Sequence, residues 1–300
     1  MPIKWLMSDE ATPFNILIRK QSVMKNFTSV HDIENLNDWV NEALQLKENL
    51  HAYPDLGKNK TLGLVFLNPS LRTRMSSIKA GENVGMQYCD IIGIRCFPGL
   101  KNKTEDTTDK ILNMFIQYAS VPVISLESAT RHPLQSFADL ITIKETWTKP
   151  NPPKVVLCWA PHVKPIAHSV GNSFAEWMNA ADVDFCIANP EGYDLGPEYV
   201  ENAKVYHNLE EAVKDADYIY FKNWSSYEDY GAMPEVKGNW LLGEDFVRQN
   251  PDTRYMHCLP VRRNVEVSDA VLDAPGSLIY QQAYNRTVSV QTVITKMLNG

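Results

Sequence analysis

No G-x-G-x-x-G follows any apolar strand pattern in this chain, and no two of its five cysteines (Cys89, Cys96, Cys158, Cys186, Cys258) form a C-x-x-C pair. The first absence argues against a dinucleotide site, the second against a zinc knuckle or a thioredoxin-like redox pair. No apolar run approaches the roughly 18 residues of a membrane span, and no secretory h-region opens the sequence, so reduced thiols in a cytoplasm are expected. Sequons such as those at Asn59 and Asn223 then carry no glycan. Acidic residues outnumber basic ones, 36 to 29. A net charge of −7 repels nucleic acid and anionic membrane at long range, so neither is expected as a partner, and an anionic ligand has to be held by a local cluster of cations.

What is present is alternation. Residues 1–23 lack clear periodicity and read as an N-terminal extension of unassigned role. After them helical patterns (31–50, from Ser70, 105–119, 131–147) alternate with apolar strands in "TLGLVFL" (61–67), "DIIGIRCF" (90–97) and "VPVISL" (121–126). "KPNPPK" (149–154) breaks the pattern, which then resumes with "KVVLCWA", "DVDFCIANP", "AKVYHNL", "YIYFKNW" and "YMHCLP" around helices at 169–181 and 208–216. This predicts an α/β chain of two doubly wound parallel-sheet domains, 24–148 and 149–283, with a last helix (284–300) returning to the first. In such sheets ligands sit beyond the carboxyl ends of the strands.

The unusual polar clusters fall at those ends. Ser70, Arg72, Thr73 and Arg74 open a helix after an apolar strand, where the helix already carries partial positive charge and unpaired N–H groups. Two arginines there are repelled unless an anion lies between them, and planar guanidinium forks suit phosphate oxygens. The alternative is a charged surface turn. Arg95, Glu127 and the pair His132 and Gln135 end or follow the next strands; three residues apart on a helix, His132 and Gln135 are predicted to reach one small ligand. In the second half His162, Lys222, Cys258, Arg262 and Arg263 occupy strand ends, and the cations would suit the carboxylates of an amino-acid-like substrate. Cys258 has no adjacent base, so it reads as a small buried hydrophobe rather than a nucleophile.

"SLRTR", "RHPLQ" and "HCLPVRRN", in this order and on these elements, resemble the aspartate/ornithine carbamoyltransferase family. "RHPLQSFADLIT", "NSFAEWMNA", "PEGY" and "HCLPVRRN" are most similar to its N-succinylornithine branch, with the N-acetylornithine branch next. The resemblance implies a carbamoyl-phosphate domain followed by an amino-substrate domain, a homotrimer with sites between subunits, and no cofactor or metal. It implies that Ser70, Leu71, Arg72, Thr73 and Arg74 hold the phosphate of carbamoyl phosphate. Arg95, His132 and Thr73 would polarise the carbamoyl carbonyl; Gln135, the backbone carbonyls of Cys258 and Leu259, and Arg286 would orient the carbamoyl group. Glu127, His162, Lys222 and Arg262 would receive the N-acylornithine, whose δ-amine is carbamoylated in arginine biosynthesis.

One departure is visible. Between "GENVGMQ" and "DIIGIR" only Tyr88 and Cys89 intervene, where the family places a strand, a long loop and a helix. That loop reaches a neighbouring subunit's site in relatives, so its absence bears on site closure, and a weakly active or non-catalytic relative is the alternative expectation.

Overall fold

In a computed structural model the described residues are 24–67, 70–86 and 89–299. The N-terminal extension and the Gln87–Tyr88 junction lie outside them.

The first half runs β1 (Asn26–Phe27), α1 (Leu36–Glu48), β2 (Thr61–Phe66), α2 (Leu71–Asn83), β3 (Cys89–Arg95), α3 (Lys103–Thr107), α4 (Lys110–Tyr118), β4 (Val123–Glu127) and α5 (Pro133–Thr146). The second runs β5 (Lys154–Trp159), α6 (Ser169–Ala180), β6 (Asp184–Ala188), α7 (Pro197–Val200), β7 (Lys204–Tyr206), α8 (Leu209–Val213), β8 (Tyr218–Lys222), α9 (Glu244–Gln249), β9 (Arg254–Met256), α10 (Asp269–Leu272) and α11 (Ile279–Asn299). Two sheets result, ordered β1-β4-β3-β2 and β7-β6-β5-β8-β9, with every strand pairing parallel. The chain therefore has the expected two parallel-sheet α/β domains. β4, β5 and β8 are apolar runs buried along nearly their whole length, as strands covered on both faces must be. β2 is an edge strand, half-buried throughout.

The helix expected over 105–119 is divided into α3 and α4. At the break Asp109 takes a left-handed φ of 48°, and its carboxylate accepts the backbone N–H groups of Ala129 and Thr130 and the hydroxyls of Ser128 and Thr130. These bonds hold together the loop between β4 and α5, which outweighs one helical turn. The helix expected over 31–50 begins at Leu36, capped by Asn35, after a single 3₁₀ turn closed by the Ser29–Asp32 capping box. α11 starts at Ile279, ahead of the expected start near 284, and packs on α1, α2 and α5.

α5 is the central element. It lies against α6 on one side and α11 on the other, and it is buried from Pro133 to Ile143. Part of its polar surface is paired across the seam with α11: Asn285 Nδ2 donates to Thr142 Oγ1 at 2.8 Å, and Ser289 Oγ donates to the Leu134 carbonyl at 2.9 Å.

Candidate active site

Parallel pairing sends the carboxyl ends of β2, β3 and β4 to one edge, and those of β5, β8 and β9 likewise. The Arg95–Glu127 and Trp159–Lys222 registers place those residues side by side at the strand ends.

At the start of α2, Ser70 is the N-cap, and its hydroxyl donates to Thr73 Oγ1 at 3.0 Å. Thr73 is buried, whereas Arg72 and Arg74 are exposed, Arg74 lying over the Phe66 ring at 5.1 Å. No acidic residue occupies this first turn. The Arg72 charge is felt at His132, His257 and Arg286, which ties the α2 start electrostatically to the next cluster.

In that cluster Arg95 closes on Glu127, with Nε and Nη2 donating to Oε2 at 3.0 and 2.7 Å, while Ser169 Oγ on α6 donates to Oε1 at 2.9 Å. His132 is the N-cap residue of α5, ahead of Pro133, which needs no N–H partner there. The imidazole Nε2 lies 3.2 Å from Arg286 Nη1, and that Nη1 also donates to Gln135 Oε1 at 2.6 Å. His132 and Gln135 thus converge on one guanidinium supplied by α11. Arginine only donates, so Nε2 of His132 is the acceptor and its proton sits on Nδ1. Burial, reinforced by the charges of Arg286, Arg95, Arg72 and Lys222, holds the imidazole pKa well below its usual value, so the ring is neutral. Burial and the nearby Arg72 also bring Arg286 down to about 10, which leaves it charged at neutral pH.

The second half offers a different group. His162 Nε2 lies 3.1 Å from Glu266 Oε1, and His257 Nε2 lies 3.4 Å from Oε2 of the same carboxylate. The Leu259 N–H donates to His257 Nδ1 at 2.9 Å, which leaves the His257 proton on Nε2, facing Glu266. Burial raises the Glu266 pKa, but the hydrogen bond from His257 and the nearby Lys222 charge outweigh it and hold the carboxyl below its usual value. Lys222 Nζ donates to the carbonyl and side-chain oxygens of Asn223. Cys258 is half-buried; Leu259 has φ 55° and precedes a cis peptide bond to Pro260. Arg262 is exposed. A cavity of about 300 Å³ between Trp159, His162, Tyr193 and the 233–240 loop adjoins this group.

Not every sequence expectation is met. Arg263, one of the cations expected to meet the substrate's carboxylates, is instead held on the surface by Asp269 at 2.6 Å and Asp273 at 2.7 Å. Glu266, His257 and Asp139 are absent from the residues that the sequence singles out. Only the four-residue step from Gln135 to Asp139 on one helix face could have pointed to the last. Among the described residues no group of three or more His, Cys, Asp or Glu side chains is arranged to hold a metal ion.

The aspartate/ornithine carbamoyltransferase carbamoyl-P binding domain matches residues 25–91 and 84–145, and the Asp/Orn binding domain matches 164–297. The chain belongs to the aspartate/ornithine carbamoyltransferase family. It is a carbamoyltransferase by that membership and by its relatives. The N-succinylornithine carbamoyltransferase of Bacteroides fragilis is 42% identical over 317 residues, covering 92% of this chain and 99% of that one. The N-acetylornithine carbamoyltransferase of Xanthomonas campestris is 29% identical, covering 89% and 97%. A crystal structure of N-acetyl-L-ornithine transcarbamylase superposes with a TM-score of 0.78 at 26% identity, covering 91% and 99%. The 317-residue alignment is longer than this chain of 300, so gaps fall on this side, and the two pieces of the carbamoyl-P match overlap at 84–91, beside the α2–β3 junction.

Proposed function

We propose that this carbamoyltransferase moves the carbamoyl group of carbamoyl phosphate to the δ-amine of an N-acylated ornithine, N-succinylornithine before N-acetylornithine, yielding the N-acylcitrulline and phosphate for arginine biosynthesis in the cytoplasm. The observation that carries the reading is the convergence of His132 and Gln135 on Arg286, next to the acid-free, arginine-bearing start of α2. The preference for the succinyl group rests on the 42% relative.

Ser70, Leu71, Arg72, Thr73 and Arg74 hold the phosphate. Arg95, Thr73 and the neutral His132 polarise the carbamoyl oxygen, while Gln135, Arg286 and the carbonyls of Cys258 and Leu259 orient the carbamoyl group. Glu127, His162, Lys222 and Arg262 receive the acylornithine. The free amine attacks the carbonyl carbon, an oxyanion develops beside fixed donors, and as the carbonyl re-forms the C–O bond to phosphate breaks, the phosphate departing into the cations that bound it and taking up the proton that the amine nitrogen gives up; positioning and electrostatic preorganisation supply the rate. The assembly is a homotrimer, as the family resemblance implies.

A second reading draws on the gaps in the alignment and the overlapping carbamoyl-P match: the first domain lacks a strand, loop and helix, and the chain binds ligands with little turnover. Measuring acylcitrulline formation from carbamoyl phosphate with N-succinylornithine and N-acetylornithine decides. Faster turnover of the succinyl compound supports the main reading, the reverse order assigns the acetyl compound, and ligand binding without product supports the second.

A further inference from the structure

Asp139 lies on α5 one turn beyond Gln135 and is completely buried. Its Oδ1 accepts two side-chain amides, Gln135 Nε2 at 2.6 Å and Gln282 Nε2 of α11 at 2.7 Å. Each amide then turns its oxygen elsewhere. Gln135 Oε1 meets Arg286, and Gln282 Oε1 accepts the His257 backbone N–H at 2.9 Å, at the end of β9. An amide has one donor end and one acceptor end, so tying the nitrogen to a carboxylate fixes the direction of the oxygen.

We infer that Asp139 is a positioning residue for the carbamoyl end of carbamoyl phosphate: it sets the orientation of the Gln135 amide directly and, through Gln282, the backbone at His257–Leu259, so that acceptors face the carbamoyl NH₂. This rests on the ligand assignment proposed above. The acceptors assigned to that NH₂, Gln135 Oε1 and the carbonyls of Cys258 and Leu259, all trace to one buried oxygen. Without it the Gln135 nitrogen has no acceptor and the amide is held through Oε1 by Arg286 alone, so its orientation is no longer fixed from both ends. Inorganic phosphate has no NH₂ group, and the Ser70–Arg74 turn that would hold it makes no hydrogen bond to Asp139 among the described residues.

This difference separates positioning from mere structural support. Asp139→Asn keeps an oxygen at the Oδ1 position and turns its nitrogen toward Tyr220, whose hydroxyl can rotate to accept. Asp139→Ala removes the acceptor. Calorimetric titration of the parent and both variants with carbamoyl phosphate and with inorganic phosphate is the test. We expect the alanine variant to lose tenfold or more in carbamoyl-phosphate affinity, the asparagine variant to stay within about threefold, and phosphate affinity to stay within about twofold in both. Unchanged carbamoyl-phosphate affinity in the alanine variant, or equal losses for both ligands, overturns the inference. Should the alanine variant not fold, a tenfold loss in the asparagine variant overturns it and retention supports it. A parent that binds neither ligand removes the functional reading instead.

Discussion

Arg95 and Glu127, one residue from each of two neighbouring strand ends, are locked together by two hydrogen bonds to a single carboxylate oxygen. The proposed reading gives them different ligands: Arg95 the carbamoyl oxygen, Glu127 the amino substrate. Each ligand therefore competes with the pair. Glu127→Gln weakens the hold on Arg95 and is expected to raise carbamoyl-phosphate affinity while lowering acylornithine affinity. A charge-assisted hydrogen bond contributes about 1.5–3 kcal/mol, so changes of roughly tenfold or more should appear in calorimetric titrations. Equal losses for both ligands would contradict the division of labour.

Arg72→Ala should abolish measurable carbamoyl-phosphate binding with no loss of stability. The cation stands in the first turn of α2, where the helix dipole opposes it, so its removal relieves about 0.3–1 kcal/mol. Thermal melting of the free protein should show an unchanged or higher midpoint; retained ligand affinity in the folded variant would rule out the phosphate cradle.

Lys222→Met and Arg262→Met should weaken acylornithine binding by roughly ten- to a hundredfold and spare carbamoyl phosphate, since both residues lie in the second domain. The two should differ in folding cost. Lys222 is buried and bonded to Asn223, so its loss also lowers the melting midpoint, whereas exposed Arg262 leaves it unchanged. Titrating each variant with each ligand, alongside a melt, checks both statements.

Burial pushes the Asp139 carboxyl up to about 7, against the opposing hydrogen bonds of Gln282 and Gln135. The folded state therefore holds this proton more tightly than the unfolded chain does. Stability from this group is complete below the ordinary carboxyl pKa near 4 and is lost as pH rises through about 7. Asp139→Asn removes that loss, so its melting midpoint should match the parent's near pH 4 and exceed it at pH 8. His132 acts in the opposite sense: its lowered pKa costs stability as pH falls below about 6.5. Melting curves of the parent and the Asp139→Asn variant from pH 4 to 8 test the sign, and a gap that narrows toward pH 8 would refute it.

The parallel-sheet frame was legible because runs such as KVVLCW and YIYFK have no other economical use, and Pro133 marked the start of α5. Short elements such as α7, α9 and α10 span only four to six residues, too few to show a period. The left-handed Asp109 was invisible because its partners Ser128–Thr130 lie about twenty residues onward. The same holds for the site. His132 and Gln135 declare themselves locally, but Asp139 depends on Gln282, 143 residues away, and Glu266 acquires meaning only when His162 and His257 flank it.

α11 carries Gln282, Asn285, Arg286, Ser289 and Gln291, the donors and acceptors that answer the polar residues of α5 and α2. Synthesis runs from the amino to the carboxyl end, so every strand of both sheets leaves the ribosome before this helix does. Until it docks, a nascent chain holds Asp139, Gln135 and His132 without their counterparts on α11. If the proposed roles of Gln135, His132 and Arg286 hold, a chain cut just ahead of residue 279 keeps the nine strands of the described residues and lacks the guanidinium on which His132 and Gln135 converge.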